Sequence, residues 1–332
     1  MTDLVIHQSG LKTFRKCHRC WYYKYIEELE KVKKGSALLR GTCCHAMIEA
    51  KANGKDPWIP YEEFIKENKQ IFIEEEELYG NIEDMICNIM EGYFKYYKDD
   101  NLTPVKIGDK FAEHKFSLPI YDGIILEGVI DMIAKDQNDR IWLVDHKTHK
   151  NIPSGDTAYY NMQSALYAFA MKALDEFPNP DGVCWNYIRW KDQTKPELLK
   201  NGTMSKKKID TTWETYEKAL LENGLDPKDY QDVKETLQNK ESEFYVRQYL
   251  PLNDTILQNV YEDALTTAKQ IKEYRDRPKE DFDRNLTRDC SWCEFYPLCQ
   301  AELRGLDVEF MKKVDYRKKQ KGEQENEESQ DD

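Results

Sequence analysis

The spacing of apolar and polar positions changes character along the chain. Residues 9 to 30 and 36 to 53 repeat their apolar side chains at helical intervals, and 60 to 99 predicts two further helices parted near Gly80. From Lys110 the period shortens to two. FAEHKFSLPI, GIILEGVIDMIAK and RIWLVDHKT each predict a strand, and the polar turn Asp136-Gln137-Asn138-Asp139 joins the last two as a hairpin. A helix is predicted from about Thr157 to Leu174, then a short strand, VCWNYIRW, from Val183 to Trp190. This order predicts an α/β protein, a mixed sheet core flanked by helices with a helical N-terminal region. The polar, lysine-rich stretch from Lys191 to Lys208 reads as an insertion, followed by helices over 211 to 240 and 254 to 276, the second capped by Asn253 or Asp254. Beyond Phe310 the periodicity stops. One domain is therefore expected over 1–310: helical to 100, an α/β core over 105–190, insertion and helices over 191–280, and a cysteine-bearing segment over 285–305. A charged, disordered tail is expected over 311–332.

Composition narrows the class. A chain of 332 residues with 40% hydrophobic content buries one substantial core. No run reaches the roughly 18 consecutive apolar residues of a membrane span, and MTDLVIHQSG lacks the features of a signal peptide, so a cytoplasmic place is expected. The net charge of -13 argues against indiscriminate coating of nucleic acid but leaves room for a local basic groove. Nine cysteines in a reducing compartment do not make a disulfide framework. Cys43, Cys44, Cys87 and Cys184 sit in apolar or helical patterns and read as small buried side chains; the other five are clustered.

The hairpin carries the chemistry. IWLVDHKTHK runs apolar and then ends in Asp145, His146 and Lys147. Across the hairpin Asp131 falls nearly opposite Asp145, within the roughly 4.5 to 8 Å that separates cross-strand neighbours. Two half-buried carboxylates repel unless a cation lies between them. Strand alternation puts Asp145 and Lys147 on one face and His146 on the other. Hard oxygen ligands suit Mg²⁺ or Mn²⁺, and Lys147 would orient a water or neutralise charge developing on a phosphate. The plainer alternative is that the two aspartates are exposed strand-end residues with Lys147 as a surface partner. In LLRGTCCHAMIEAK, His45 and Glu49 share a helix face one turn after Gly41. In YYNMQSALYAFAM, Gln163 and Tyr167 are four apart, an amide and a phenol within reach of a phosphate or base, although Tyr167 alone reads equally as core.

Taken together, the order G…H, D, DxK, QxxxY resembles the PD-(D/E)XK nuclease superfamily, specifically its RecB-like branch, over roughly residues 8 to 300. The resemblance implies a restriction-endonuclease-like fold and a RecB-like nuclease domain. It implies that His45, Asp131 and Asp145, with the backbone carbonyl of His146, bind the metal. Lys147 would act on the water, and Gln163 and Tyr167 would contact substrate. The acidic position before Lys147 holds Asp, which the pattern permits, and His146 stands where many relatives have Tyr. The activity implied is that of a Mg²⁺- or Mn²⁺-dependent deoxyribonuclease, an exonuclease acting on DNA ends or single strands in recombination, repair or phage DNA processing. A recombination or replication protein would be a possible partner. Two alternatives stay open: an endonuclease of the same fold, and a non-catalytic iron-sulfur subunit that binds DNA.

The cysteines add a second centre. RDCSWCEFYPLCQ gives Cys290, Cys293 and Cys299 as C-x2-C-x5-C, and KCHRCWYYKYI supplies Cys17 and Cys20. The latter is similar to the CPxxFYY segment of RecB-like nucleases that carry an iron-sulfur cluster. The resemblance implies a [4Fe-4S] cluster held by Cys17, Cys290, Cys293 and Cys299 that joins the chain ends. A Zn²⁺ site on Cys17, Cys20, Cys290 and Cys293 competes, leaving Cys299 unused, and whether Cys17 or Cys20 completes a cluster stays open. Candidate DNA contacts are Lys12, Arg15, Lys16, Arg19 and Lys24, with Trp21, Tyr22, Tyr23 and Tyr25 among them to stack bases, and Arg189, Lys191, Lys206, Lys207 and Lys208. A solvated face over core aromatics is the competing reading.

Overall fold

In the computed structural model, which describes residues 3–32, 36–153, 162–191, 193–239 and 244–319, the expected hairpin is the spine. Strand β4 (Ala112–Tyr121) alternates buried and exposed positions, as a strand with one face on a core does. It pairs antiparallel with β5 (Ile124–Lys135), which turns through Asp136 into β6 (Ile141–His149). The Asp136 carboxylate accepts from the backbone of Asn138 and Arg140 at 2.8 and 3.0 Å, and Asp139 takes the left-handed conformation, φ 63°, that such a turn requires. Strand β7 (Gly182–Arg189) joins β6 in parallel and β8 (Tyr245–Pro251) joins β7 antiparallel, so the sheet is mixed.

Helices cover both faces. On one, α1 (Gln8–Lys16), α6 (Met162–Ala173) and α9 (Asp254–Tyr274) bury Phe14, Leu166, Met171, Ala268 and Ile271 against Leu126, Ile133, Leu143 and Trp185. On the other, α3 (Ser36–Ala52), α4 (Trp58–Tyr79) and α5 (Ile82–Tyr96) bury Met47, Phe72, Ile86 and Met90 against Ile188 and Tyr245. The helix pair expected between 60 and 99 is α4 and α5, parted at Gly80, φ 74°. Asn253 rather than Asp254 caps α9, its side chain accepting from Ile256 N at 2.9 Å. Residues 157–161 of the helix predicted from Thr157 lie outside the described residues.

Short strands escaped the sequence pattern. Before α1, β1 (Leu4–Ile6) runs parallel to the start of β5. Helix α2 (His18–Trp21) leads through one π-helical turn to β2 (Leu29–Lys31), while β3 (Thr103–Pro104) pairs the end of β5. In the insertion, α7 (Trp213–Glu222) and α8 (Gln231–Asn239) enclose a small core of their own around Met204 and Tyr230. Near the end stand α10 (Tyr296–Leu303), α11 (Val308–Asp315) and β9 (Tyr316–Lys318). Strand β9 pairs antiparallel with β2, Leu29 opposite Lys318, and Tyr316 is 3% exposed in the small core beneath. The disordered tail expected from residue 311 is thus corrected: the chain is folded through Lys318, because Tyr316 supplies an apolar anchor that helical periodicity does not register. Residues 320–332 lie outside the described residues. No described helix is long and apolar enough to cross a membrane.

Candidate active site

One strand is shared by two partners along the same edge, and the site opens where they part. Strand β1 pairs Ile124 to Leu126 of β5, β6 pairs Met132 to Lys135, and the stretch between carries Asp131. The backbone N–H of His146, which would otherwise continue the ladder, donates to Asp131 Oδ2 at 2.8 Å. A side chain therefore ends the ladder and is itself fixed. On the opposite edge of β5 the pairing with β4 skips Glu113, which adopts φ 55° between the registered pairs Ala112↔Met132 and His114↔Ile130. The register is the same on both sides, so Glu113 stands opposite Asp131.

Three ligand atoms converge as a result: His45 of α3, Glu113 and Asp131 bring theirs within 4.8 Å of one another. His45 Nε2 lies 2.8 Å from the carbonyl oxygen of His146 and donates to it, so that in the neutral tautomer Nδ1 carries the lone pair. Nδ1 is buried without a hydrogen-bond partner and faces Asp131 Oδ2 at 3.6 Å. A lone pair facing a carboxylate across that distance, with a second carboxylate beside them, suits a divalent cation. Burial first, then the charges of Asp131 and Glu49, push the Glu113 carboxyl up to about 8.

Asp145 and Lys147 lie on the other side of β6 from His146. Lys147 Nζ is 3.4 Å from Asp145 Oδ1 and 3.4 Å from Gln163 Oε1. Ser164 Oγ donates to Asp145 Oδ2 at 2.9 Å and accepts from Trp185 Nε1 at 3.0 Å. All four polar residues are buried, with Lys147 at 5% exposure. An ammonium so placed is held by its partners, not by water. His146 points to the opposite face, where the Asn186 amide donates to its Nδ1 at 2.8 Å, and burial depresses the imidazole to about 3. Tyr167 is 3% exposed, packed edge-to-face on Phe116 at 5.0 Å in the main core.

The reading of the aspartates as exposed strand ends fails, since Asp131 and Asp145 are each 6% exposed. Sequence reasoning missed Glu113 and Ser164. Only the backbone conformation at Glu113 marks it out, whereas a lone serine beside Gln163 in an otherwise apolar helix was a visible signal.

The thiols form a separate centre about a cavity of roughly 460 Å³ lined by Cys17, Cys20, Cys290, Cys293 and Cys299. Cys20 and Cys293 share a sulfur–sulfur hydrogen bond at 3.8 Å, which pulls Cys293 down to about 7 and pushes Cys20 up. Tetrahedral zinc needs its four sulfurs about 3.8 Å apart. The Cys20–Cys293 separation is close to that spacing, and all five thiols line one cavity.

Two of the four expected base-stacking aromatics are corrected, while Tyr22 and Tyr25 are partly exposed. Trp21 and Tyr23 are 5% and 1% exposed, Trp21 stacking on Tyr25 and Phe282 within the core. Several of the basic candidates are engaged within the fold: Arg15 with Thr267 and Asp263, Arg19 with Glu302, Lys24 with Glu294, Arg189 and Lys191 with Asp210, and Lys206 with Asp232.

Compared with known families, residues 6–300 match the profile described as the PD-(D/E)XK nuclease superfamily. No curated protein matches the sequence. Among solved structures, the one described as "Crystal structure of SSO0001" aligns over 89% of this chain and 95% of its own at 11% identity, with a TM-score of 0.29; a likeness that low carries no argument.

Proposed function

Because the chain belongs to the PD-(D/E)XK nuclease superfamily, a family of metal-dependent nucleases with DNA as the expected substrate, we propose that it is an exonuclease of the RecB-like branch. It would hydrolyse phosphodiester bonds at DNA ends or in single strands during recombination, repair or phage DNA processing in a reducing cytoplasm. The observation that carries the reading is the convergence of His45, Glu113 and Asp131, tied to β6 by the His146 N–H on Asp131, on the strand that also carries the buried Lys147–Asp145 pair. His45, Asp131 and Glu113 would hold Mg²⁺ or Mn²⁺, with Asp145 and the His146 carbonyl as further oxygen donors. When bound there, such a cation supplies Lewis acidity toward a phosphoryl oxygen and lowers the pKa of a water. Lys147, fixed between Asp145 and Gln163, would orient an attacking water and offset charge on the phosphate. Ser164 keeps one Asp145 oxygen in place, and the burial of Tyr167 suits a role in seating α6 against the sheet.

The same reading assigns the thiol cavity a [4Fe-4S] cluster on Cys17, Cys290, Cys293 and Cys299 that joins the chain ends. The gathering of Cys299 with the other thiols about one cavity supports it, since a zinc site on Cys17, Cys20, Cys290 and Cys293 leaves Cys299 unused, and Cys20 stands beside Cys293 as the competing fourth ligand. Iron and acid-labile sulfide in equal amounts, with no zinc, is the expected assay.

The deciding experiment digests end-labelled linear DNA and covalently closed single-stranded circles with Mg²⁺ and with Mn²⁺. An exonuclease spares the circles; their cleavage would assign an endonuclease. Lys147→Ala should lower the rate at least about a hundredfold while metal and DNA binding persist. Full activity in that variant, or in an Asp145→Ala control, overturns the reading.

A further inference from the structure

Trp292 is 87% exposed, whereas five of the other six tryptophans are buried and Trp58 is half-buried. It stands between Cys290 and Cys293 on the rim of the thiol cavity, and Leu286 and Tyr296, 65% and 42% exposed, line the same opening. A packed aromatic side chain buries roughly 150–250 Å²; this one buries almost none. Its surroundings are charged. Seven lysines and arginines line the cavity against three acids, a local positive excess in a chain of net charge -13. Arg19 and Arg284 are drawn inward onto Glu302, but Lys12 and Lys16 are exposed and lie one turn apart on α1. The end of α1 is pinned to the tryptophan segment: Lys16 Nζ is 3.9 Å from Asp289, and Asn285 donates to the Lys16 carbonyl at 2.9 Å.

An exposed indole beside a lysine row fits one kind of partner best. Single-stranded nucleic acid offers unpaired base faces to stack on an aromatic ring while its phosphates track the lysines. A duplex hides its base faces, and an acidic protein surface would meet the lysines but give the indole no planar partner. We propose that Trp292 is a stacking platform for an unpaired base, with Lys12 and Lys16 carrying the adjoining phosphates. The inference rests on the nuclease reading and specifies its substrate as single-stranded. It also moves the stacking role from Trp21 and Tyr23, which the core has taken, to an aromatic in the second cysteine segment.

The test uses the full chain carrying Lys147→Ala, so that the probe is not cut, and oligothymidylate as ligand. As the one exposed tryptophan, Trp292 should dominate iodide quenching of the emission, and oligothymidylate should protect it. Trp292→Ala should weaken oligothymidylate binding about tenfold, the worth of one stacked base, and Trp292→Phe should restore most of it. Lys12→Gln with Lys16→Gln should reduce the slope of log K against log salt by about 1.4. Equal binding by parent and Trp292→Ala overturns the proposal, as does an indole that iodide cannot reach in the free chain, since that surface would already be covered. Should Trp292→Ala lose its fold, the quenching and Trp292→Phe arms still decide. Cleavage by the unsubstituted chain with Trp292 indifferent to DNA sinks only this inference. Protection of Trp292 in a chain that never cleaves sinks the nuclease reading and leaves the stacking site standing.

Discussion

Glu113 is the residue whose backbone and chemistry depart together from the strand that carries it. Its φ of 55° costs a side-chain-bearing residue about 1–2 kcal/mol, and its carboxylate is raised to about 8 from an ordinary 4.5, by burial first and then by Asp131 and Glu49. The sign follows from linkage. Below about 4.5 the folded and unfolded chains are both protonated there; between 4.5 and 8 only the unfolded chain ionises, so stability falls as pH rises through that window. A divalent cation removes the reason for the proton. Thermal melts from pH 5 to 9 should therefore show Mn²⁺ raising Tm more at pH 8 than at pH 5.5, and Glu113→Gln should flatten the metal-free slope. His45, Asp131, Asp145 and Lys147 were legible because residue type and spacing alone single them out. Glu113 was not, because in FAEHKF it reads as one more outward position sharing a face with Lys115.

At the scale of the element, the hairpin was legible because its alternation is long and its turn chemistry explicit. Strands β1, β2 and β9, of three residues each, are too short to show a period, and β8 hides its pattern behind Arg247 and Gln248. What no pattern conveys is how closely α6 lies on β5. A Cβ at Gly128 would come 2.7 Å from Tyr167 and 2.8 Å from Phe116, so the absence of a side chain there sets the seat of α6. Gly128→Ala should cost about 1–3 kcal/mol by overpacking. It should also lower kcat more than it weakens DNA binding, because the helix it displaces carries Gln163 and Ser164. Urea unfolding read beside single-turnover cleavage checks both. Unchanged stability would mean that Tyr167 moves aside freely and does not fix the helix.

Across the whole molecule, the two chain ends meet on a carboxylate as well as on thiols. Glu302 of α10 accepts from the Tyr23 hydroxyl at 2.7 Å, pairs with Lys279 and Arg284, and lies 3.8 Å from Arg19 Nε. Burial opposes its charge, but the hydrogen bonds from Lys279 and Tyr23 prevail and hold it down to about 2. Its contribution to stability is therefore present above the ordinary 4.5 and is lost as pH falls toward 2. Arg19 is 6% exposed, so Glu302→Ala would strand a buried guanidinium. Breaking such a pair costs about 3–5 kcal/mol. The loss should stay local, because α10, β2 and β9 share a small core of their own around Tyr23, Phe295 and Tyr316. Hydrogen exchange should accordingly quicken over residues 17–31 and 296–318 while β5 and β6 stay protected, in the manner of a separate cooperative unit. Quickening spread evenly over the sheet would show instead that the joined ends are continuous with the catalytic core, and that loss of the thiol centre must then disable the metal site as well.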